Sequence, residues 1–135
     1  MNEDAIVDAI LQELNEETWK EIEQNGINHI YPSGMTALGL AVYYYKEENT
    51  HFLLEKGADP NLFGDQANPP LLDAYMSFCP RLFILLLMYG ADPKIERRNA
   101  PGDIFMSPMG IMRDIGSTDF LDTLFTSYNR DSESD

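Results

Sequence analysis

The chain has 135 residues, 44% of them hydrophobic, which suits one globular domain with a continuous core rather than a disordered segment. Its 23 acidic and 9 basic residues leave a formal charge of −14, a field that repels nucleic-acid phosphates and anionic membranes and attracts basic partners. The single cysteine, Cys79, excludes an intramolecular disulfide framework, and the longest apolar run, Leu82 to Met88, is far short of a bilayer span.

The acidic start Met1-Asn2-Glu3-Asp4 lacks the basic residues of a secretory signal, so the chain reads as cytoplasmic. Residues 4–14 place Ile6, Val7, Ile10, Leu11 and Leu14 on one helical stripe, with Asp8, Gln12 and Glu13 off it. A second helix is expected from about Thr18 to Gln24, with Trp19 and Ile22 inward. Gly26 is its stop, because glycine enters a left-handed C-cap without strain. Residues 1–26 carry eight carboxylates, from Glu3 to Glu23, against Lys20 alone, which makes an acidic outer face.

Tyr31-Pro32-Ser33-Gly34 reads as a turn, and Thr36 is placed to cap a helix from Ala37 to about Tyr45. Another helix covers about Glu48 to Glu55, and Gly57 ends it. The long turn Gly64-Asp65-Gln66-Ala67-Asn68 leads into Pro69-Pro70, where proline is tolerated because a first-turn N–H has no helical acceptor. Cys79-Pro80 starts a helix whose Leu82, Phe83, Leu85, Leu86 and Leu87 are apolar nearly all round, so it needs cover on several sides. Further on, Pro108 interrupts the next helix, and Gly110 and Gly116 loosen the segment after it. The conformation of residues 108–117 stays open. Ser117-Thr118-Asp119 caps a final helix carrying Phe120, Leu121, Leu124, Phe125 and Tyr128, and the polar tail 129–135 is expected to be disordered.

Across these elements one pattern recurs. Gly57-Ala58-Asp59-Pro60 returns as Gly90-Ala91-Asp92-Pro93, 33 residues later, and a fixed period of that length marks a stacked repeat. Leu53-Leu54 maps onto Leu86-Leu87, Leu38 onto Leu71, and Ala41 onto Ala74. Thr36-Ala37-Leu38-Gly39-Leu40-Ala41 and Pro69-Pro70-Leu71-Leu72-Asp73-Ala74 are two versions of one helix start, and Gly26-Ile27-Asn28 is a worn copy of Gly57-Ala58-Asp59. Together these segments resemble the ankyrin repeat, whose helix start reads T-P-L-H-x-A and whose second helix ends in L-L-x-x-G-A-D.

The resemblance is firm over residues 34–94 and weaker on both sides. It implies an all-α solenoid of about four helix–turn–helix repeats with β-turn fingers, filling a single domain over 1–128. The repeats fall at 4–30 (an N-terminal cap), 31–61, 62–94 and 95–128 (a degenerate C-terminal cap). It also implies protein binding through the finger tips and the exposed side of the inner helices. Carried across by register, those positions are Ser33, Met35, Tyr43 and Tyr44, then Asp65, Gln66, Asn68, Met76 and Ser77, then Arg98 with Asn99, Pro101 and Met109. Where the family prefers histidine the chain has Gly39 and Leu72, so the fingers are expected to be less regular.

Residue chemistry points the same way. Tyr43-Tyr44-Tyr45 steps by about 100° per residue, so the three rings cannot share one core face, and tyrosine is a favoured interface anchor. His29 and His51 lie in different repeats with no partner at metal-ligand spacing, and Cys79 has no histidine in its motif frame. Asp59 and Asp92 recur as turn residues, and no phosphate-cradling loop or H-E-x-x-H occurs. Arg97-Arg98, the only adjacent basic pair, suits a partner's carboxylate. The expectation is a non-enzymatic protein without metal or cofactor, monomeric when free, that occludes a basic partner protein. In its sharper form it is an antitoxin or immunity-type inhibitor. An adaptor bridging two proteins is the alternative, followed by a small-ligand sensor or enzyme.

Overall fold

The computed structural model describes residues 3–95. The fourth repeat expected beyond that point, the tail 129–135 and Arg98 lie outside the described residues. Among the described residues the chain is all-α, with six helices and no strand. They are α1 (Glu3–Leu11), α2 (Glu16–Asn25), α3 (Ala37–Tyr43), α4 (Glu47–Glu55), α5 (Pro70–Met76) and α6 (Pro80–Met88).

The helices form two layers. α1, α3 and α5 lie side by side in chain order, while α4 folds back on α3, α6 folds back on α5, and α4 packs on α6. α2 meets α4 through Trp19, whose ring stands edge-on to Phe52 at 6.0 Å. Lys56 Nζ sits 5.3 Å from the centroids of both rings, a cation–π contact that covers this seam. Leu38 and Leu71, Ala41 and Ala74, and Leu53 and Leu86 are pairs one period apart, and all six are buried in one core. α6 buries Leu82, Phe83, Ile84 and Leu86, as its apolar circumference requires, and leaves Met88 exposed.

Local chemistry explains where the helices begin and end. Thr36 caps α3 with its hydroxyl accepting from the Gly39 amide at 3.1 Å, and Pro70 and Pro80 open α5 and α6 at positions that need no N–H. α2 begins two residues earlier than the sequence suggests, because Asn15 and Thr18 form a reciprocal capping box. α1 stops at Leu11, short of the predicted residue 14, and Leu11 is exposed rather than on a continuing stripe. The reason lies in α4. The Asn49 amide donates 2.7 Å bonds to the carbonyls of Ile10 and Gln12, and its Oδ1 accepts from the Leu14 amide at 3.0 Å. This side chain takes over from the helix at its C-terminal end, where the last carbonyls have no intrahelical partner. Leu14 is then buried from outside the helix.

The two hairpins α3–α4 and α5–α6 share their hydrogen bonds as well as their letters. Gly34 donates to the Tyr31 carbonyl at 2.8 Å, and 33 residues on Ala67 donates to Gly64 at 3.1 Å. The Gly64 amide also donates to the Gly34 carbonyl at 2.7 Å, which ties one turn to the next. The turns are therefore alike, where Gly39 and Leu72 suggested less regular fingers, because backbone groups make the link. At the opposite end of the hairpins Asn28 Oδ1 accepts from the Asp59 amide at 2.9 Å, and Asn61 Oδ1 from the Asp92 amide at 2.8 Å. Asp59 and Asp92 in turn accept from the amides two residues on, so both are turn residues.

Candidate functional site

An open groove of about 470 Å³ runs between the ends of α3 and α5, lined by Tyr43, Tyr44, Tyr45, Asn68, Asp73, Met76 and Ser77. Five of the predicted binding residues meet here: Tyr43, Tyr44, Asn68, Met76 and Ser77. Tyr43 is 51% exposed and Met76 59%, an aromatic and a thioether facing solvent from neighbouring helices. The Tyr44 ring packs half-buried against the core and stands edge-on to Tyr43 at 5.1 Å, which holds the outer ring in place. Asn68 donates to Asp73 Oδ1 at 3.0 Å, and the Ser77 hydroxyl donates to the carbonyls of Asp73 and Ala74. The polar wall is thus prearranged.

The other predicted residues do not line the groove. Asp65 and Gln66 are exposed on the turn before α5. Ser33 is half-buried, with its amide donating to Glu3 Oε2 at 3.3 Å and its hydroxyl accepting from the Met35 amide at 3.2 Å. Met35 is half-buried and packs against the core, outside the groove.

Sequence reasoning missed Tyr45. The structure ends α3 at Tyr43, and Tyr45 takes a left-handed backbone at φ 59° with its side chain 64% exposed. Its amide donates to the Val42 carbonyl and the Lys46 amide to Ala41, the paired bonds of a Schellman stop. Phe78, one period later, does the same at φ 53° and is 67% exposed. The left-handed region disfavours bulky L-residues by about 1–2 kcal/mol, and glycine is the usual occupant. The signal was available, since residues 45 and 78 are both aromatic and 33 apart.

A larger groove, about 810 Å³, lies on the other side of Tyr45. Leu11, Tyr45, Ile84, Leu85 and Met88 supply its apolar surface, and Glu13, Lys46, Glu47, Glu48 and Arg81 its charged rim. Arg81 Nε meets Glu47 Oε1 at 2.8 Å, an exposed pair that contributes little stability. Elsewhere, Asp4, Asp8, Glu13, Glu16, Glu17, Glu21 and Glu23 of the N-terminal region are exposed, as the sequence suggests for an acidic outer face.

Among the described residues no group of three or more His, Cys, Asp or Glu could hold a metal ion, and no helix is long and apolar enough to cross a membrane. His51 pairs with Glu55 at 3.1 Å, and His29 stands edge-on to Tyr31 at 4.7 Å. Cys79 is half-buried against the core and makes no side-chain cap bond to α6. Burial raises the Tyr31 phenol above its ordinary pKa; the Asn25 hydrogen bond opposes the shift and the Glu3 charge adds to it. No protein-family model matches the chain, and no curated protein matches it significantly.

Proposed function

We propose that the chain is an ankyrin-type repeat protein that binds another protein through the groove between α3 and α5 and acts by occupying that partner's surface. The observation that carries this reading is the convergence of Tyr43, Tyr44, Asn68, Met76 and Ser77, drawn from two hairpins, on one open groove. Aromatic rings that lose little entropy on binding, beside an adaptable thioether and satisfied polar groups, suit a protein interface. The charge of −14 favours a partner with a basic docking surface and predicts salt-sensitive association. An inhibitor of antitoxin or immunity type is the simplest function of such occupancy.

The test is affinity capture from cell lysate with the wild-type chain and the Tyr43→Ala/Met76→Ala variant side by side, eluted by stepped salt. A basic protein held by the wild type, released at raised salt and lost with the variant supports the reading. If the captured protein has its activity silenced by the wild type alone, the inhibitor form is supported. A partner with an acidic docking surface, or one retained equally by the variant, overturns it.

A further inference from the structure

The larger groove has features that the α3–α5 groove does not account for. Leu11, Tyr45 and Met88, which are 45%, 64% and 71% exposed, come from α1, the end of α3 and α6. Ile84 and Leu85 add further apolar surface between them. Tyr45 reaches this surface from a left-handed backbone that glycine would occupy with less strain. An observed outlier of this kind, carrying an exposed aromatic ring, is a reason to look for function rather than stability.

Two observations select the occupant. Helices and loops alone bound the groove, with no strand among the described residues, so it offers no backbone edge for an extended peptide to extend. Affinity there must come from a stripe of apolar side chains, as an amphipathic helix presents at i, i+3, i+4 and i+7. In the charged rim three carboxylates, Glu13, Glu47 and Glu48, face two cations, Lys46 and Arg81; Glu47 holds Arg81, while Glu13, Glu48 and Lys46 make no ion pair among the described residues. On a chain of charge −14 that rim complements basic residues. We infer that this groove is a second docking site, for a basic amphipathic helix of a partner protein, with Tyr45, Leu11 and Met88 as its anchors. Docking here does not depend on the α3–α5 groove binding anything.

The probe is a synthetic 15-residue helix-forming peptide of Leu and Lys with its leucines on one face, about four helical turns. It is titrated into the ¹⁵N-labelled full chain, and backbone amide shifts are followed by NMR. The expected result is micromolar binding, with the largest shifts at Leu11, Tyr45, Glu48, Ile84 and Met88 and small ones at Tyr43 and Met76. Met88→Ser and Leu11→Ser change exposed side chains and are expected to leave the fold intact while weakening binding at least tenfold. Tyr45→Gly is expected to weaken binding at least tenfold and to raise the Tm, a pairing that general destabilisation would not produce. Absence of binding, shifts centred on Tyr43 and Met76, or wild-type affinity in all three variants overturns the inference. Equal affinity for a peptide with serine in place of leucine also overturns it, since charge alone would then explain the binding.

Discussion

Asn49 is the residue on which the N-terminal junction turns. It is 4% exposed and has every amide hydrogen-bonding direction but one occupied, by Ile10, Gln12 and Leu14, while position 82, one period on, is a leucine. Asn49→Ala leaves the buried Ile10 carbonyl, the part-buried Gln12 carbonyl and the Leu14 amide unpaired and is expected to cost about 2–4 kcal/mol in urea unfolding. Asn49→Asp should cost at least as much at neutral pH, because a carboxylate cannot donate to those carbonyls. Two glycines separate space from conformation. A Cβ on Gly64 would lie 3.0 Å from Gly34 Cα and 3.2 Å from its carbonyl oxygen, whereas one on Gly57 would meet nothing within 4 Å although φ is 99°. Gly64→Ala should destabilise by about 1–3 kcal/mol through a backbone collision and lengthen the Gly64–Gly34 bond. Gly57→Ala should cost about 1 kcal/mol, through its backbone angle alone. Tyr31 supplies a pH signature. With its folded-state pKa raised above 10.0, the phenol stays neutral in the native state while the unfolded chain ionises. Stability from this group is full below about pH 10 and falls as pH rises from there through the folded pKa. Urea unfolding in that window should fall less steeply with pH in Tyr31→Phe than in the wild type.

At the scale of elements, hairpins are joined by pieces of loop that a helical pattern does not display. Asn61 accepts from the Asp92 amide and donates to the Gly90 carbonyl, so one side chain binds the end of α4 to the end of α6. Asn61→Ala should cost about 1–2 kcal/mol. Hydrogen exchange at the Asp92 amide should rise more than at Leu38 in the α3 core, because the ladder opens without the core opening. Helix existence was legible from periodicity, as were Thr36 as a cap, Gly26 as a stop and the prolines at the starts of α5 and α6. The ends were less so. Tyr43-Tyr44-Tyr45 read as one helical run, but the Schellman bonds to Ala41 and Val42 stop the helix and turn Tyr45 outward. Propensity within the run does not contain that information; the aromatic that recurs at residue 78, one period on, is the signal that does.

For the whole molecule, charge and shape act together. Exposed carboxylates crowd the N-terminal helices, where Lys20 alone opposes eight acidic residues, and their repulsion is screened by salt. Raising NaCl from about 10 mM to about 300 mM should therefore raise the Tm by a few degrees, while weakening any complex with a basic partner. The two grooves meet at Tyr45, which lines both. One partner spanning that ridge would make Tyr43→Ala and Met88→Ser non-additive in binding, and two separate partners would leave the variants independent. The second result would identify an adaptor that bridges two proteins.

The helical class, the 33-residue correspondence and most of the core were legible in the order of the amino acids alone, because burial periodicity and turn residues are local and repeat with the chain. That Tyr43, Tyr44, Asn68, Met76 and Ser77 would lie near one another was legible in the same way, since register carries a position from one hairpin to the next. Tertiary packing was needed to close α1 with Asn49 and to stand Tyr45 between two grooves. These features depend on which surfaces meet after packing, and on hydrogen bonds between residues more than 30 positions apart. A local pattern cannot encode such partners, because each half of the contact is ordinary until the other arrives.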